Sequence, residues 1–307
     1  MEDQVGVELG YLEECESWKL QSRFFPSKVG GKPAWVNLDF VPGADQLQCR
    51  RCKDPLIFLL QLYAPYDESA HIPKDISGRN FHRSLFVFIC KNPQCHVRNN
   101  SDHIKVFRSS LPRSNKFYPY NAPEDKPDAL FSMENWTKLC RLCGCFASKK
   151  CSRCRVADYC SRQHQVADWK QHKTECGSVF SERLSDLLFT EWEIVTEVEE
   201  LDMQSNEMDQ LSTFEQLKVN DVQGMENVSE DELTKYANTE EDKVFRKFQK
   251  QVRHNPDQVI RKECLPPIRS CFLRFFLATP LFCYRLYFRL LAELLTIIWN
   301  FLPPFLG

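Results

Sequence analysis

The sequence predicts an α+β protein, in which a mainly β N-terminal domain is followed by a cysteine-rich finger, an acidic linker and helical C-terminal segments. Three observations support this prediction. Strand-length runs of aromatic and branched residues fill the first third of the chain, cysteines and histidines cluster between residues 140 and 176, and acidic residues dominate from residue 190 to 243. With 307 residues, the chain is long enough for one or two hydrophobic cores.

The β prediction depends on three runs of strand length. These are LIFLLQLYA at 56–64, LFVFIC at 85–90 and IKVF at 104–107. The first two are expected to pair as an antiparallel hairpin. Upstream, Gly30 and Gly31 in KVGGKP predict a tight turn, because glycine adopts backbone conformations closed to other residues.

The compartment follows from the cysteines and from the first residues. The chain has 15 cysteines, and its opening MEDQVGVELG lacks the apolar stretch of a secretory signal. We therefore expect a reducing environment, cytoplasmic and nuclear. Clustered cysteines in such compartments bind metal more often than they form disulfides.

Eight cysteines and histidines in four pairs have the spacing of metal ligands. They are Cys140, Cys143, Cys151, Cys154, Cys160, His164, His172 and Cys176. A two-residue spacer forms a tight knuckle that aims two thiolates at one ion, and a three-residue spacer places two ligands on one face of a helical turn. Eight such ligands fill two tetrahedral zinc sites and leave no open position for a substrate. The predicted role of zinc is therefore structural, since a segment of about forty residues cannot bury enough apolar surface to fold alone.

A third zinc site is predicted at the end of the hairpin. Cys49 and Cys52 precede the first strand, while Cys90 and Cys95 follow the second, so antiparallel pairing brings all four to one end. The four-residue spacer between Cys90 and Cys95 is looser than usual, and four free thiols are the alternative. The cofactor prediction is two zinc ions, with a third at this site.

The remaining cysteines and histidines do not predict an enzyme. Cys145 falls between knuckles, and we interpret it as a small buried side chain rather than a ligand. His82, at a strand start, is interpreted as a packed core edge rather than a base. The other histidines outside the array have no nucleophile or carboxylate pair at a motif spacing.

The finger is basic, with nine Lys and Arg against three acidic residues over 138–178. This surplus keeps a nucleic-acid interpretation open, but only Phe146, Tyr159 and Trp169 are available to stack on bases. Trp169 is equally well explained as part of the finger's own core. Neither nucleic acid nor a membrane is expected as a direct partner.

The C-terminal half divides by composition. Residues 190–243 carry 17 acidic residues against three basic ones, which is typical of a solvated linker. A capping box at TEED predicts an amphipathic helix after it. In the apolar tail the uncharged runs at 275–284 and 294–307 are shorter than the roughly 20 residues that span a bilayer. The predicted boundaries are 1–137 for the β domain, 138–178 for the finger, 179–238 for the linker, 239–261 for the helix and 262–307 for the tail.

Several separate segments resemble known families. YCS at 159–161 and DWKQHK at 168–173, with the eight ligands, resemble the MYND-type zinc finger. ELGY, FPSKVGGKPAW, CRRC, FLLQLYAP, FHRSLFVFIC and FRSSLPRSNKFY, in this order with the finger, resemble the programmed cell death protein 2 family. EDKVFRKFQKQVRHNPDQVIR, at 241–261, resembles the same family. After about Lys262 the family continues into further strands, whereas this chain has a divergent apolar tail.

The resemblance implies ligand sets, a fold and a role. Interleaving of the pairs assigns one zinc to Cys140, Cys143, Cys160 and His164, and the other to Cys151, Cys154, His172 and Cys176. The implied fold is a mainly β domain with an inserted, zinc-stabilised MYND finger. The implied role is to escort a small-subunit ribosomal protein during ribosome biogenesis.

An acidic segment suits such a client, because ribosomal proteins are cationic before assembly. The carboxylates expected to bind the partner are Glu230, Asp231, Glu232, Glu240, Glu241 and Asp242. The alternative function is a nuclear transcriptional co-regulator whose MYND finger docks proline-rich peptides.

Overall fold

The computed structural model describes residues 7–65, 78–97, 100–128, 130–177, 185–199, 255 and 257–263. The chain divides into two compact units, Leu12–Val195 and the combination of Met1–Tyr11 with Thr196–Gly307. Most of the predicted acidic linker, most of the predicted helix at 239–261 and the tail from residue 264 lie outside the described residues. Within the predicted linker, 179–238, the segment Trp192–Val198 forms a strand, so the linker prediction is wrong there, because this segment pairs with Lys28 and Val29.

The described strands are short to medium in length. They are β1 (Val7–Glu13), β2 (Lys28–Val29), β3 (Ile57–Tyr63), β4 (His82–Ile89), β5 (Ile104–Leu111), β6 (Lys149–Lys150), β7 (Asp158–Tyr159), β8 (Trp192–Val198) and β9 (Ile260–Glu263). The helices that lie wholly within the described residues are α1 (Arg162–Glu175) and single 3₁₀ turns at Ser17–Leu20, Ser22–Phe24, Pro93–Cys95 and Met133–Asn135.

The larger unit is built on an antiparallel sheet with neighbouring strands in the order β5-β4-β3-β2-β8. Strands β3 and β4 pair from Ile57 opposite Ile89 to Tyr63 opposite Ser84, which confirms the predicted hairpin. The predicted third strand is also present. It is β5, which continues to Leu111 and pairs with β4 along its whole length.

Aromatic side chains on one face of this sheet form the core. The ring centroid of Trp35 lies 4.6 Å from that of Phe86 and 6.0 Å from that of Phe88. Phe58 and Phe107 meet Phe88 edge to face. The same buried cluster includes cysteines of the finger, so the finger and the sheet share one core.

The glycine pair predicted to form a turn does so. Both residues have positive φ, +70° at Gly30 and +64° at Gly31. A Cβ atom on Gly30 would stand only 1.9 Å from the carbonyl oxygen of Thr190. The turn therefore requires glycine for space as well as for conformation, and it brings the chain against residues 189–191.

In the smaller unit, β1 pairs antiparallel with β9, from Val7 opposite Glu263 to Gly10 opposite Ile260. The predicted helix at 239–261 is therefore wrong at its end, because residues 260 and 261 belong to a strand. Pairing with a distant segment overrides the local helical pattern there. Among the described residues, no helix has both the length and the apolar composition needed to cross a bilayer.

Candidate metal centres

Helix α1 shows why the finger needs metal. Ser161 caps it, since its hydroxyl oxygen accepts a hydrogen bond from the backbone N–H of His164 at 3.1 Å. The buried residues of the helix are His164, Asp168 and His172, which are four apart and share one face. That face carries two imidazoles and a carboxylate and has no apolar stripe, so hydrophobic burial alone cannot hold the helix in place.

The first centre brings together Cys140, Cys143, Cys160 and His164, whose ligand atoms all lie within 4.8 Å of one another. Sγ of Cys143 is 3.6 Å from Sγ of Cys160, and Nδ1 of His164 is 3.1 Å from Sγ of Cys160. All four residues are buried.

The second centre brings together Cys151, Cys154, His172 and Cys176, again within 4.8 Å. Here the imidazole presents its other nitrogen, because Nε2 of His172 lies 3.6 Å from Sγ of Cys154. Cys154 and Cys176 are only partly buried, so this centre lies nearer the surface of the finger than the first.

These spacings fit zinc and do not fit disulfides. Zn–S bonds of about 2.3 Å in a tetrahedron separate two sulfurs by about 3.8 Å, close to the 3.6 Å between Cys143 and Cys160. A disulfide would need about 2.05 Å, and every cysteine that the structure describes is free. The two sets are those that the family resemblance implied.

The third predicted site is also assembled. Sulfurs of Cys49, Cys52, Cys90 and Cys95 lie within 4.8 Å of one another at one end of the β3–β4 hairpin. Sγ of Cys52 is 3.6 Å from Sγ of Cys90. The loose spacer is accommodated by the 3₁₀ turn Pro93–Cys95, which Asn92 caps.

The three Cys-x2-Cys knuckles share one backbone geometry. In each, the residue after the second cysteine donates its N–H to the carbonyl of the first, at 2.8 Å for Gly144, 2.9 Å for Arg155 and 3.0 Å for Lys53. Each of these residues has positive φ, at +70°, +58° and +65°. Only one of these three residues is glycine. The knuckle geometry therefore imposes on Arg155 and Lys53 a left-handed backbone conformation that residues other than glycine rarely adopt.

The pKa shifts of the clustered thiols also favour a bound cation. Hydrogen bonds from Cys143 and Cys160 hold the pKa of Cys140 far below its usual range, while contacts with Cys140 and Cys143 raise the pKa of Cys160 well above its own. Without a cation, therefore, the three thiols of this centre cannot all lose their protons together. A bound Zn²⁺ removes the conflict, because every coordinated thiol can lose its proton.

In the second centre, which lies nearer the surface, one ligand also favours the thiolate. Burial opposes the change, but backbone N–H groups of Ala157 and Val156, with neighbouring thiols, lower the pKa of Cys154 to about 6. In the hairpin centre burial raises the pKa of Cys52 to about 11.

The first centre is joined to the sheet through residues that spacing did not reveal. The indole N–H of Trp35 donates to the carbonyl of Gly144 at 2.7 Å. The N–H of Phe146 donates to the carbonyl of Pro42 at 3.1 Å. The position of Gly144 directly after a knuckle is a local sequence feature that could have indicated this contact. Nothing in the sequence around Trp35, 109 residues away, indicated it.

A buried polar network fixes the helix against the first knuckle. Nε of Arg141 donates to Oδ2 of Asp168 at 3.0 Å, and the same guanidinium pairs with Glu175. The hydroxyl of Tyr159 donates to Asp168 at 2.6 Å. Removing one member leaves a buried charge unpaired, which is costly. These residues set the position of α1, and thus of both histidine ligands.

The other singled-out residues have structural surroundings. Cys145 is buried, as predicted, and is not among the cysteines that the three ligand groups bring together. His82 begins β4 and stacks on Phe25 with centroids 3.9 Å apart, while burial and then Arg113 lower its pKa to about 4. Its ring packs at the edge of the core, as predicted. Trp169 is 39% exposed and lies on the surface of the finger.

The predicted partner-binding carboxylates lie outside the described residues. They are Glu230, Asp231, Glu232, Glu240, Glu241 and Asp242.

A groove of about 460 Å³ opens where the finger meets the loop at residues 43–48. Its finger side includes Phe146, Lys149 and the start of α1 at Arg162. The ring of Phe146 is 40% exposed there. An exposed aromatic ring in a groove that also offers polar side chains is a feature of peptide-docking surfaces.

Comparison with known proteins identifies both parts of the chain. Residues 6–125 match the family model for the programmed cell death protein 2 N-terminal domain, and residues 140–176 match the MYND finger. Programmed cell death protein 2 of Rattus norvegicus is 41% identical over 274 residues, which cover 84% of this chain and 73% of that protein. This chain belongs to the programmed cell death protein 2 family. It is a zinc-binding protein with a MYND finger, and the family is not a known enzyme family.

Two further relatives match parts of this family member. Programmed cell death protein 2-like of Mus musculus is 35% identical over 115 residues, 38% of this chain and 27% of that protein. Egl nine homolog 1 of Homo sapiens is 50% identical over 40 residues, 13% of this chain and 9% of that protein. No solved structure matches significantly. The predictions of the family, the fold class and the zinc cofactor are confirmed.

Proposed function

We propose that this chain escorts a basic small-subunit ribosomal protein during ribosome biogenesis, in the cytoplasm and the nucleus, and that it does so by binding without catalysis. The supporting observation is charge segregation. Residues 190–243 hold 17 acidic residues against three basic ones in a protein whose net charge is only −2. A cationic client is the partner that such a segment attracts.

The physical task of an escort explains the two parts of the molecule. Before assembly, a ribosomal protein binds RNA non-specifically through Lys and Arg, so its escort must occupy that surface until RNA replaces it. A run of carboxylates mimics a phosphate backbone and screens the client's charge. The unit Leu12–Val195, in which sheet and finger share one core, offers a fixed shape for recognition.

Acidic side chains also shift a pKa within the described part of the smaller unit. Burial and then the carboxylates of Glu197, Asp257 and Glu199 raise the pKa of Tyr11. These acids add to the same negative potential. The acidic character of the C-terminal half therefore includes residues held in or beside strands.

The test is binding of purified small-subunit ribosomal proteins by the full, zinc-loaded chain at several salt concentrations. Affinity should fall as salt rises. Neutralising Glu230, Asp231, Glu232, Glu240, Glu241 and Asp242 as amides should weaken binding about tenfold or more and flatten the salt dependence.

The matched control neutralises six exposed carboxylates elsewhere, namely Glu13, Glu14, Glu16, Glu124, Asp125 and Glu134. This control should bind like the unmodified chain. If the control and the six-residue variant bind alike, the acidic segment is a tether and the escort mechanism is wrong.

One observation favours a second function, a nuclear transcriptional co-regulator that docks proline-rich peptides. It is the groove beside the finger with its half-exposed Phe146. Titration of labelled proline-rich peptides separates the two functions. A co-regulator binds them and loses binding in Phe146→Ala, with little salt dependence, whereas an escort binds the cationic client in both forms.

A further inference from the structure

The four ligands of the second centre are not equally protected from solvent. Cys151 and His172 are buried, whereas Cys154 and Cys176 are partly exposed. The Sγ atoms of the two exposed cysteines belong to one cluster, in which all ligand atoms lie within 4.8 Å of one another. A small oxidant dissolved in water can therefore reach two neighbouring sulfurs of this centre.

The other two centres give an oxidant less access. All four ligands of the first centre are buried. In the hairpin centre Cys52 is partly exposed, but its neighbour Cys90, at 3.6 Å between sulfurs, is buried. The N–H of Cys90 is also bonded to the carbonyl of His103, which holds this residue in the sheet. Of the three described centres, the second is the one in which two cysteines are exposed.

The position of Cys176 in the chain leaves it free to move toward Cys154. Cys176 follows helix α1, which ends at Glu175, and is its C-terminal cap. The next residue, Gly177, is loosely surrounded, since a Cβ atom added there would meet no other atom within 4 Å. The sulfur of Cys176 can therefore approach that of Cys154 without displacing the buried core.

Positive charge surrounds the two exposed cysteines. Arg153 and Arg155 are the sequence neighbours of Cys154, and Lys173 follows the ligand His172. All three cations are exposed. Electropositive, partly exposed surroundings are those in which cysteines react most readily.

The acidic residues of the finger do not neutralise these cations. Asp168 and Glu175 pair with Arg141, and Asp158 pairs with Lys150. Among the described residues, the three exposed cations therefore have no ion-pair partner.

We propose that the second centre is an oxidant-sensitive switch, in which hydrogen peroxide joins Cys154 to Cys176 and releases zinc. The thiolate of Cys154 attacks one oxygen of the peroxide, so the O–O bond breaks, the sulfur becomes a sulfenic acid and hydroxide leaves. The thiolate of Cys176 then attacks that sulfur, forms the S–S bond and expels a second hydroxide. The two sulfurs together lose two electrons, and the peroxide gains them.

Oxidation leaves the ion with two ligands, Cys151 and His172, which are too few for a stable tetrahedral site. The buried first centre and the pairing of Arg141 with Asp168 are not touched by this reaction. The switch therefore loosens the outer side of the finger and keeps its attachment to the sheet. It goes beyond the proposed escort function and does not depend on it, because zinc occupancy is measured without any client.

The experiment treats the full, zinc-loaded chain with hydrogen peroxide and follows released zinc with a colorimetric chelator. One zinc ion per chain should leave about tenfold faster than the ions of the other two centres. Alkylation before and after reduction, followed by peptide mass spectrometry, should identify Cys154 and Cys176 as the oxidised pair. A thiol reductant with added zinc should restore the original zinc content.

Variants of the surrounding cations test why this centre reacts. Arg153→Gln and Lys173→Gln should each slow the release of zinc about two- to fivefold, because each removes one positive charge beside the exposed sulfurs. Lys138→Gln is the matched control, since it removes an exposed cation of the finger just before the buried first centre. Cys15→Ser removes a partly exposed cysteine outside the ligand groups. Both controls should release zinc like the unmodified chain, and zinc content before treatment establishes that every variant is folded.

Two results overturn the assignment. The first is loss of zinc from the first centre or the hairpin centre as fast as from the second, with oxidised cysteines mapped to those centres. The second is release of zinc without a disulfide between Cys154 and Cys176. Equal rates for Arg153→Gln, Lys173→Gln and Lys138→Gln would overturn the role given to the surrounding cations.

Discussion

The two zinc centres of the MYND finger differ in their relation to the rest of the protein. All four ligands of the first centre are buried, and its knuckle is bonded to Trp35 in the core of the sheet. In the second centre Cys154 and Cys176 are partly exposed. The difference teaches that the first centre lies inside the core shared with the β domain, while the second lies at the edge of that core, to which Cys151 belongs and against which Cys154 and Cys176 pack.

The largest expected effect separates the two centres directly. Cys143→Ser removes a ligand from the centre that joins the core, and should cost roughly 5 kcal/mol of unfolding free energy or more. For a unit of this size, that corresponds to about 10–20 °C in Tm. Cys154→Ser should lose one zinc but shift the unfolding of the sheet by only a few degrees.

Zinc analysis with thermal unfolding followed by near-ultraviolet circular dichroism checks this, because the sheet core contains Trp35. Equal losses of Tm in Cys143→Ser and Cys154→Ser would show that the centres are equivalent and that the comparison is wrong.

The next effect extends the comparison to the hairpin centre. Cys49→Ser should reduce zinc from three ions per chain to two and lower Tm by about 5–10 °C, because it opens the end of the β3–β4 hairpin. Cys145→Ser is the control, since Cys145 is equally buried but belongs to no ligand group. Unchanged zinc content in Cys49→Ser would leave four free thiols at this site.

A smaller effect probes the junction between finger and sheet. Gly144→Ala places a Cβ atom 3.0 Å from Cβ of Lys32 at a residue with φ of +70°, and should cost about 1–3 kcal/mol. Gly177→Ala has a similar backbone penalty, with φ of +97°, but open space around the new methyl group. Urea unfolding of both variants isolates the contact. Equal destabilisation would mean that conformation alone requires glycine at 144.

The smallest effect is a stabilisation confined to the other two knuckles. Arg155→Gly and Lys53→Gly relieve left-handed backbone at residues with φ of +58° and +65°. Each should tighten zinc binding by up to about 1 kcal/mol, less the entropy that glycine adds to the unfolded chain. Competition with a chelator measures the gain. Weaker zinc binding in either variant would show that the basic side chain itself supports the knuckle.

The sequence predicted the parts of this molecule that depend on local spacing. Ligand pairs such as Cys140 and Cys143 are recognisable because one turn of backbone determines their geometry, and the strand pattern around Phe86 and Phe88 has the same local origin. The bond between Trp35 and Gly144 joins residues 109 positions apart, and no local pattern records it. The strand at Ile260 was predicted as helix for the same reason, since its partner is β1.

The hydrogen bond between Trp35 and Gly144 also limits how early the core can form during synthesis. A ribosome adds about 5–20 residues per second, so the 109 residues that separate donor and acceptor take roughly 5 to 20 s to make. Throughout that interval the indole N–H of Trp35 has no hydrogen-bond acceptor in the nascent chain. The first centre also lacks its fourth ligand until His164 has left the exit tunnel. The newborn chain therefore cannot complete its core for several seconds, and apolar surface exposed in that period favours aggregation.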